Sequence, residues 1–417
     1  MHNLFYSFLI ILTLFIVFLI TQFIKNYYFI VLSEKSNLLT LISFYVIVIG
    51  GFIFSVGLLF FRRWIYAKRK KLLLSLSIFF LGIIFIELYL HITYKRPMRF
   101  SPHQYLNYIG TPNYRSADGL NMHNSLGMRG KEIIMPKPAG RIRLAILGGS
   151  TVYEEFVKDW KKDFARQLEH ELKQAYPNKD IEVINAGLPG WDSWEDLINL
   201  EFRLIDLDLD AIIVYEGVND VHARFVRPNS YKADNSGNKS QWVIKPCLVL
   251  LCLKTVQLIT GFDSYNFDFG TPTYTHPVTN DYNAILDMTP IEALEKNPPI
   301  YFERNLRNII AVARENGITV LLSTWAWSNQ LPDYAASLHY QKGFNDLNDV
   351  VKKIGKTKNV EIYDFAVEMP VDKKYWADGS HSNSEGVTLK AKLFANYIMK
   401  TNFLDTIETT KKKEKSL

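Results

Sequence analysis

Three long apolar runs open the chain, and short apolar runs separated by amphipathic stretches fill the rest. Leu4–Ile24 and Leu38–Phe61 contain no charged residue, and Leu72–His91 contains only Glu87. Each is long enough to cross a hydrocarbon core of about 30 Å. The pattern predicts about three transmembrane helices (4–24, 38–61 and 72–91) in an anchor over residues 1–96. A cleaved leader fits less well, because Met1–Asn3 carries no Lys or Arg and no small-residue cleavage site follows. Arg62, Arg63, Lys68, Arg69, Lys70 and Lys71 lie between the second and third runs without an acid among them. The positive-inside rule puts that loop in the cytoplasm and everything after the third run outside it, against the smaller group Lys95, Arg96 and Arg99. This predicts a multi-pass membrane protein whose main domain faces the periplasm or the cell surface. Glu87, close to the outer end, reads as a hydrated interfacial carboxylate.

From Arg143 onward the periods alternate. Leu144–Leu147, Ile181–Ile184, Ala211–Tyr215, Ile318–Ser323 and Val360–Tyr363 read as buried strands. Between and after them Asp163–Tyr176, Trp194–Leu204, Phe302–Glu315, Tyr340–Ile354 and Glu385–Lys400 carry apolar residues at helical spacing. Ser382 and Glu385 are placed as a capping box for the last helix. Strands that alternate with helices predict parallel crossovers, hence an α/β fold built as a three-layer α/β/α sandwich over 141–403. Residues 97–140, rich in Pro, Asn, Gly and Tyr, form a connector expected to pack on that domain. An insertion over about 224–299 breaks the rhythm; its apolar run Cys247–Ile259 is short for a membrane span and reads as a helix on the domain, or one lying on the membrane or lining an acyl site. Residues 404–417 read as a basic tail.

Composition adds exclusions. The net charge is +6, and the basic clusters at Arg62–Lys71 and Lys411–Lys415 are not interleaved with aromatics on an extended face, so nucleic acid is not a predicted partner. The chain has 2 cysteines, Cys247 and Cys252, in no metal-binding pattern. His123, His222 and His339 lack ligand spacing, so no metal and no cofactor is expected.

The chemistry collects at strand ends. Gly149-Ser150 follows the first strand, Asn185-Ala186-Gly187-Leu188-Pro189-Gly190 the second, Glu216-Gly217-Val218-Asn219-Asp220 the third, and Asp378-Gly379-Ser380-His381 the fifth. In a parallel sheet these ends share one edge, where ligands bind. Such a set suits acyl transfer. Ser150 is the candidate nucleophile, His381 the base that activates it, and Asp378 the group that orients the imidazole. The Ser150 N–H, the Gly190 N–H and the Asn219 amide are candidate oxyanion donors, with Gly187 as rival to Gly190. Arg129, in the connector's His123–Gly130 turn, reads first as a packing residue and second as a holder of a carboxylate or substrate oxygen. Of Trp325 and Trp327, one is expected in the core and the other against a sugar or an acyl group. Ser150 is not in Gly-x-Ser-x-Gly, which excludes the α/β-hydrolase elbow.

These four blocks resemble the SGNH hydrolases, the GDSL-like esterase superfamily. Ser150, Gly190, Asn219 and His381 match its four named residues in chain order, and Asp378 with His381 matches its Asp-x-x-His. The resemblance covers about Arg143–Lys400 and implies a flavodoxin-like sandwich and hydrolysis or transfer of acyl groups. Gly149 stands where many members have Asp, and the insertion and the anchor fall outside the pattern. The expected activity is that of a membrane-anchored serine esterase acting on ester-linked acyl groups, such as O-acetyl, of envelope glycans. An O-acyltransferase using the same site, a lipid esterase or lysophospholipase, and a non-catalytic scaffold in a membrane complex are the competing expectations. The corresponding partners are an acylated glycan or lipid, the membrane, and a membrane protein.

Overall fold

A computed structural model describes residues 62–93, 99–234, 239–240, 273–274 and 288–407. The chain divides into two units, Met1–Arg96 with Val243–Phe267, and Pro97–Trp242 with Asp268–Leu417. The first two predicted spans and the Cys247–Ile259 run lie outside the described residues. Of the first unit, helix α1 (Arg62–Thr93) is described. It contains Leu73–Leu90, which is long and apolar enough to cross a membrane. Leu74, Phe79, Phe85 and Tyr89 are among its exposed side chains. The basic cluster Arg62–Lys71, read above as a loop, is the first part of this helix, because Lys and Arg are good helix formers and no Pro or Gly interrupts them.

The second unit opens with an antiparallel pair, Phe100–His103 on Asn107–Gly110, that the sequence reading did not foresee. The main sheet has five strands: β1 (Arg141–Leu147), β2 (Asp180–Asn185), β3 (Ala211–Val214), β4 (Thr319–Ser323) and β5 (Glu361–Tyr363). They run parallel in the order β2-β1-β3-β4-β5. This is the doubly wound order whose reversal lies between β1 and β3, and ligands bind beside that reversal. β1 is buried at Ile142–Leu147 and β3 throughout, as central parallel strands must be when helices cover both faces.

The helices follow in chain order: α2 (Ser150–Tyr153), α3 (Phe164–Ala175), α4 (Ser193–Asn199), α5 (Val218–His222), α6 (Pro290–Lys296), α7 (Ile300–Glu315), α8 (Leu338–Lys358), α9 (Phe365–Glu368) and α10 (Ser384–Lys400). α3 packs on α10, and α7 packs on α4 and α8, which gives the two outer layers. Asp163 caps α3 by accepting from the Arg166 N–H at 2.8 Å, and Phe164, Leu168 and Leu172 form its buried stripe. At α10 the predicted cap shifts by one residue. Asn383, not Ser382, accepts from the Glu385 and Gly386 N–H groups, because Ser382 is still extended and bridges to Trp376.

Two boundaries also move. Phe403, Leu404 and Ile407 are buried in the main core, so the domain runs past the predicted start of the tail. The ends of the insertion belong to the domain as well: Arg224 donates to the Asn297 carbonyl at 2.7 Å and to the Leu294 carbonyl at 3.0 Å. The connector is held by a second cluster, in which Leu106 and Tyr108 meet Tyr153, Leu188 and Trp191.

Candidate active site

β1 ends at Leu147, and Ser150 is the first residue of α2. At that helical position the backbone N–H has no partner within the helix. A side chain at Gly149 would force Asn219 to shift. A Cβ on it would lie 2.6 Å from Asn219 Nδ2 and 3.0 Å from the Trp191 carbonyl oxygen. The same measurement locates Asn219: its amide, on α5 after β3, sits against the backbone just before Ser150. The amide nitrogen donates to the Trp191 carbonyl at 2.7 Å, which fixes its plane. Trp191 follows Gly190, whose φ of 80° lies in the left-handed region open to glycine. Three strand ends thus meet around one point.

His381 arrives from the other end of the sequence. Its Nε2 is 2.7 Å from Ser150 Oγ, and its Nδ1 lies 2.9 and 2.8 Å from the two Asp378 oxygens. A tight turn makes this possible. Asp378 Oδ1 accepts from the Ser380 and His381 N–H groups, each at 2.8 Å. Asp333 takes the Gly379 N–H at 2.6 Å, and the Ser328 N–H donates to the Gly379 carbonyl at 2.8 Å. The loop after β4 therefore braces the turn after β5. Burial pushes the Asp378 carboxyl up, but the His381 ring and the two backbone donors outweigh it and hold it below the usual carboxylate range. An ionised Asp378 at Nδ1 leaves Nε2 as the nitrogen that can take the Ser150 proton.

The remaining sequence candidates separate. Gly187 uses its N–H on Asn185 Oδ1 at 3.2 Å, which favours Gly190 as the donor to an oxyanion. Arg129 is buried. It donates to the carbonyls of Tyr153, Glu154, Val157 and Lys158, so the structure corrects the substrate-binding reading to a structural clamp. Trp325 is the core member of its pair, not a substrate-binding one: it is fully buried and stacks on Tyr215 with ring centroids 5.0 Å apart. Trp327 is half-buried against Phe344. Neither ring is brought to Ser150 by any contact described.

Sequence reasoning gave no role at the site to four neighbours. Phe156, exposed, lies 5.0 Å from the His381 ring. Lys390, on α10, is buried and donates to the Thr151 carbonyl at 2.9 Å and to Glu154. Glu216, the residue before Gly217, is buried with one carboxyl oxygen 3.3 Å from where a Gly149 Cβ would sit. His222 follows Asn219 by one helical turn; burial pushes its pKa down to about 4 and the His381 charge adds to the shift, so it stays neutral. The i, i+3 spacing of Asn219 and His222 was the available signal for that pair.

Residues 146–389 match the model of the GDSL-like lipase/acylhydrolase family. No curated protein matches the chain. Solved structures with some likeness include a lipase/acylhydrolase from Enterococcus faecalis, at 16% identity and TM-score 0.38, with 62% of this chain and 95% of that one covered. A GDSL-like lipase from Bacteroides thetaiotaomicron aligns at 15% identity and TM-score 0.35, covering 62% and 88%. An acetyl xylan esterase, AlAXEase, aligns at 14% identity and TM-score 0.37, covering 62% and 100%. Likeness at this level carries no argument about substrate, and the family match stands without it.

Proposed function

The chain belongs to the GDSL-like lipase/acylhydrolase family, and from that premise we propose a membrane-anchored serine esterase that removes acyl groups, such as O-acetyl, from envelope glycans. The observation that carries the reading is the continuous line from Ser150 Oγ to His381 Nε2 at 2.7 Å and from His381 Nδ1 to Asp378 at 2.8 Å. A serine hydroxyl is a weak nucleophile until a base within hydrogen-bond reach takes its proton. In the proposed first half-reaction Ser150 Oγ attacks the ester carbonyl carbon while its proton passes to His381 Nε2. The oxyanion is met by the Ser150 N–H, the Gly190 N–H and the Asn219 amide. The C–O bond to the alcohol then breaks, and the alcohol oxygen leaves with the proton from His381. In the second half-reaction His381 takes a proton from water, the hydroxide oxygen attacks the acyl-serine, and the carboxylic acid departs as Ser150 recovers its proton. Asp378 remains ionised and stabilises the imidazolium in both halves.

The membrane part of the proposal rests on α1 and its basic first turns. A helix with Arg62, Arg63, Lys68, Arg69, Lys70 and Lys71 at one end favours that end in the cytoplasm. The α/β domain would then face away from the cytoplasm, where envelope glycans lie. The test uses the full chain in detergent micelles with O-acetylated envelope polysaccharide, and reads free acetate. Release by the wild type and none by Ser150→Ala is the expected result. Acetate that moves only onto an added sugar acceptor would make the protein an acyltransferase. Fatty acid released from lysophospholipid, with polysaccharide untouched, would make it a lipid esterase.

A further inference from the structure

Phe156 is a large apolar side chain that is 52% exposed, yet the residues on both sides of it are held. The Val157 N–H closes a turn onto the Glu154 carbonyl at 3.0 Å, with Glu155 and Phe156 at its tip. Arg129 spans the base of that turn. One end of its guanidinium donates to the Tyr153 and Glu154 carbonyls, the latter at 2.8 Å, and the other end to the Val157 and Lys158 carbonyls at 2.5 and 3.1 Å. Arg99 holds Glu155 in a bidentate pair, one arm of it 2.7 Å long, and also reaches the Tyr153 hydroxyl at 3.2 Å. Two arginines therefore fix residues 153, 154, 155, 157 and 158 by backbone or side chain. Phe156 is the residue they leave projecting, tilted 51° to the His381 ring at 5.0 Å. A ring preset in this way loses little freedom when something packs on it.

The chemistry says which part of a substrate that is. His381 Nε2 must reach the leaving oxygen of the ester in order to protonate it. The alcohol half of the ester consequently lies on the histidine side of Ser150, while the oxyanion faces Gly190 and Asn219. Phe156 flanks the histidine. We infer that Phe156 forms the wall of the alcohol subsite and selects esters whose alcohol presents a flat, carbon-lined face, as a sugar ring does. The inference rests on the esterase reading above and deepens it: Phe156 determines specificity, and Arg129 and Arg99 position it. A flat aromatic face offers an apolar surface with defined geometry to such a ring.

The experiment compares wild type, Phe156→Ala and Phe156→Trp on two substrate series. One holds the acyl group as acetate and enlarges the alcohol, from methyl acetate to glucose pentaacetate. The other holds the alcohol as methanol and lengthens the acyl chain, from methyl acetate to methyl octanoate. In Phe156→Ala, kcat/KM should fall about tenfold more on glucose pentaacetate than on methyl acetate, the size of one lost apolar contact in a binding site. Phe156→Trp should keep most of the sugar-ester activity. An equal loss across the alcohol series would overturn the inference and make the ring a prop for His381. A loss that grows with acyl length would overturn it by putting Phe156 on the acyl side. If the wild type cleaves no ester in either series, the esterase reading itself falls and the inference with it; activity without alcohol discrimination removes the inference alone.

Discussion

The two flanks of Ser150 are built from the same kind of residue, buried ionisable side chains, in opposite ways. On one flank cations meet α2, the helix that Ser150 opens. Lys390 binds the Thr151 carbonyl and Glu154, Arg129 binds the Tyr153 and Glu154 carbonyls, and the Asn185 amide takes the Val152 carbonyl at 2.8 Å. Every carbonyl from Thr151 to Glu154 is thereby held by a side chain from a different part of the chain. On the other flank Asp196 and Glu216 are fully enclosed, and the charged groups that face them, Asp192, Glu195 and Asp220, are acids too. Among the described residues no ion pair reaches either one. Burial first, then these neighbours, raises both carboxyls well above their usual values. The lesson is that donors matched to acceptors hold α2 even though burial raises the Glu154 carboxyl above its usual value, whereas the acid-lined flank keeps its shape only as long as its protons stay on.

The largest effect should come from breaking the matched side. Lys390→Met leaves the buried Glu154 without its cation, and removal of one partner from a buried pair costs about 3–5 kcal/mol. Thermal unfolding in detergent should show that loss, and the double variant Glu154→Gln with Lys390→Met should recover a good part of it. No recovery would mean that Lys390 matters for its ammonium over the Phe164 and Tyr215 rings rather than for its pairing with Glu154. Arg129→Lys comes next. Lysine cannot span carbonyls on both sides of the 154–157 turn, and each buried acceptor left without a donor costs about 1–3 kcal/mol. Ester hydrolysis should fall about tenfold or more as α2 and Phe156 shift, since small misplacements at a reacting centre are expensive. Ester hydrolysis at wild-type rate would contradict the clamp.

The smallest effect tests the unmatched side. A carboxyl whose pKa is raised in the folded state binds more protons there than in the unfolded chain. Stability contributed by Glu216 is therefore full below the ordinary carboxylate value and is lost as pH rises toward the raised one. Glu216→Gln removes that titration while an amide oxygen can still accept from the Gly217 N–H, a bond of 3.0 Å in the wild type. Between about pH 5 and about pH 8 the melting temperature of the variant should fall less than that of the wild type. Parallel curves would show that Glu216 does not carry a proton into neutral solution.

The same contrast separates what the sequence discloses from what it conceals. Periodicity located all five strands of the sheet to within a few residues, because central parallel strands are continuous apolar runs. The strand-end blocks brought Ser150, Asn219, Asp378 and His381 to notice because sheet topology alone makes such ends converge. The supports escaped. Lys390 lies in an amphipathic helix where a lysine is expected to face water, and only its tertiary partners, Glu154 and the Thr151 carbonyl, explain its burial. Arg129 was weighed as a ligand holder because an arginine's preference for carbonyls of a distant loop leaves no spacing to detect. Trp325 offered two readings until Gly217 was seen to lie flat against its ring, where a Cβ would come within 2.2 Å. Asn383 and Ser382 are both good cap residues; Ser382 is taken up by its bridge to Trp376, which leaves Asn383 as the last extended residue at the helix entrance.

The central claim is that Ser150 is an activated nucleophile. It is tested most directly by exposing the detergent-solubilised full chain to a fluorophosphonate probe, wild type beside Ser150→Ala. The account predicts covalent labelling of the wild type and none of the variant. A folded wild type that takes no label, or a variant that labels equally well, would contradict it.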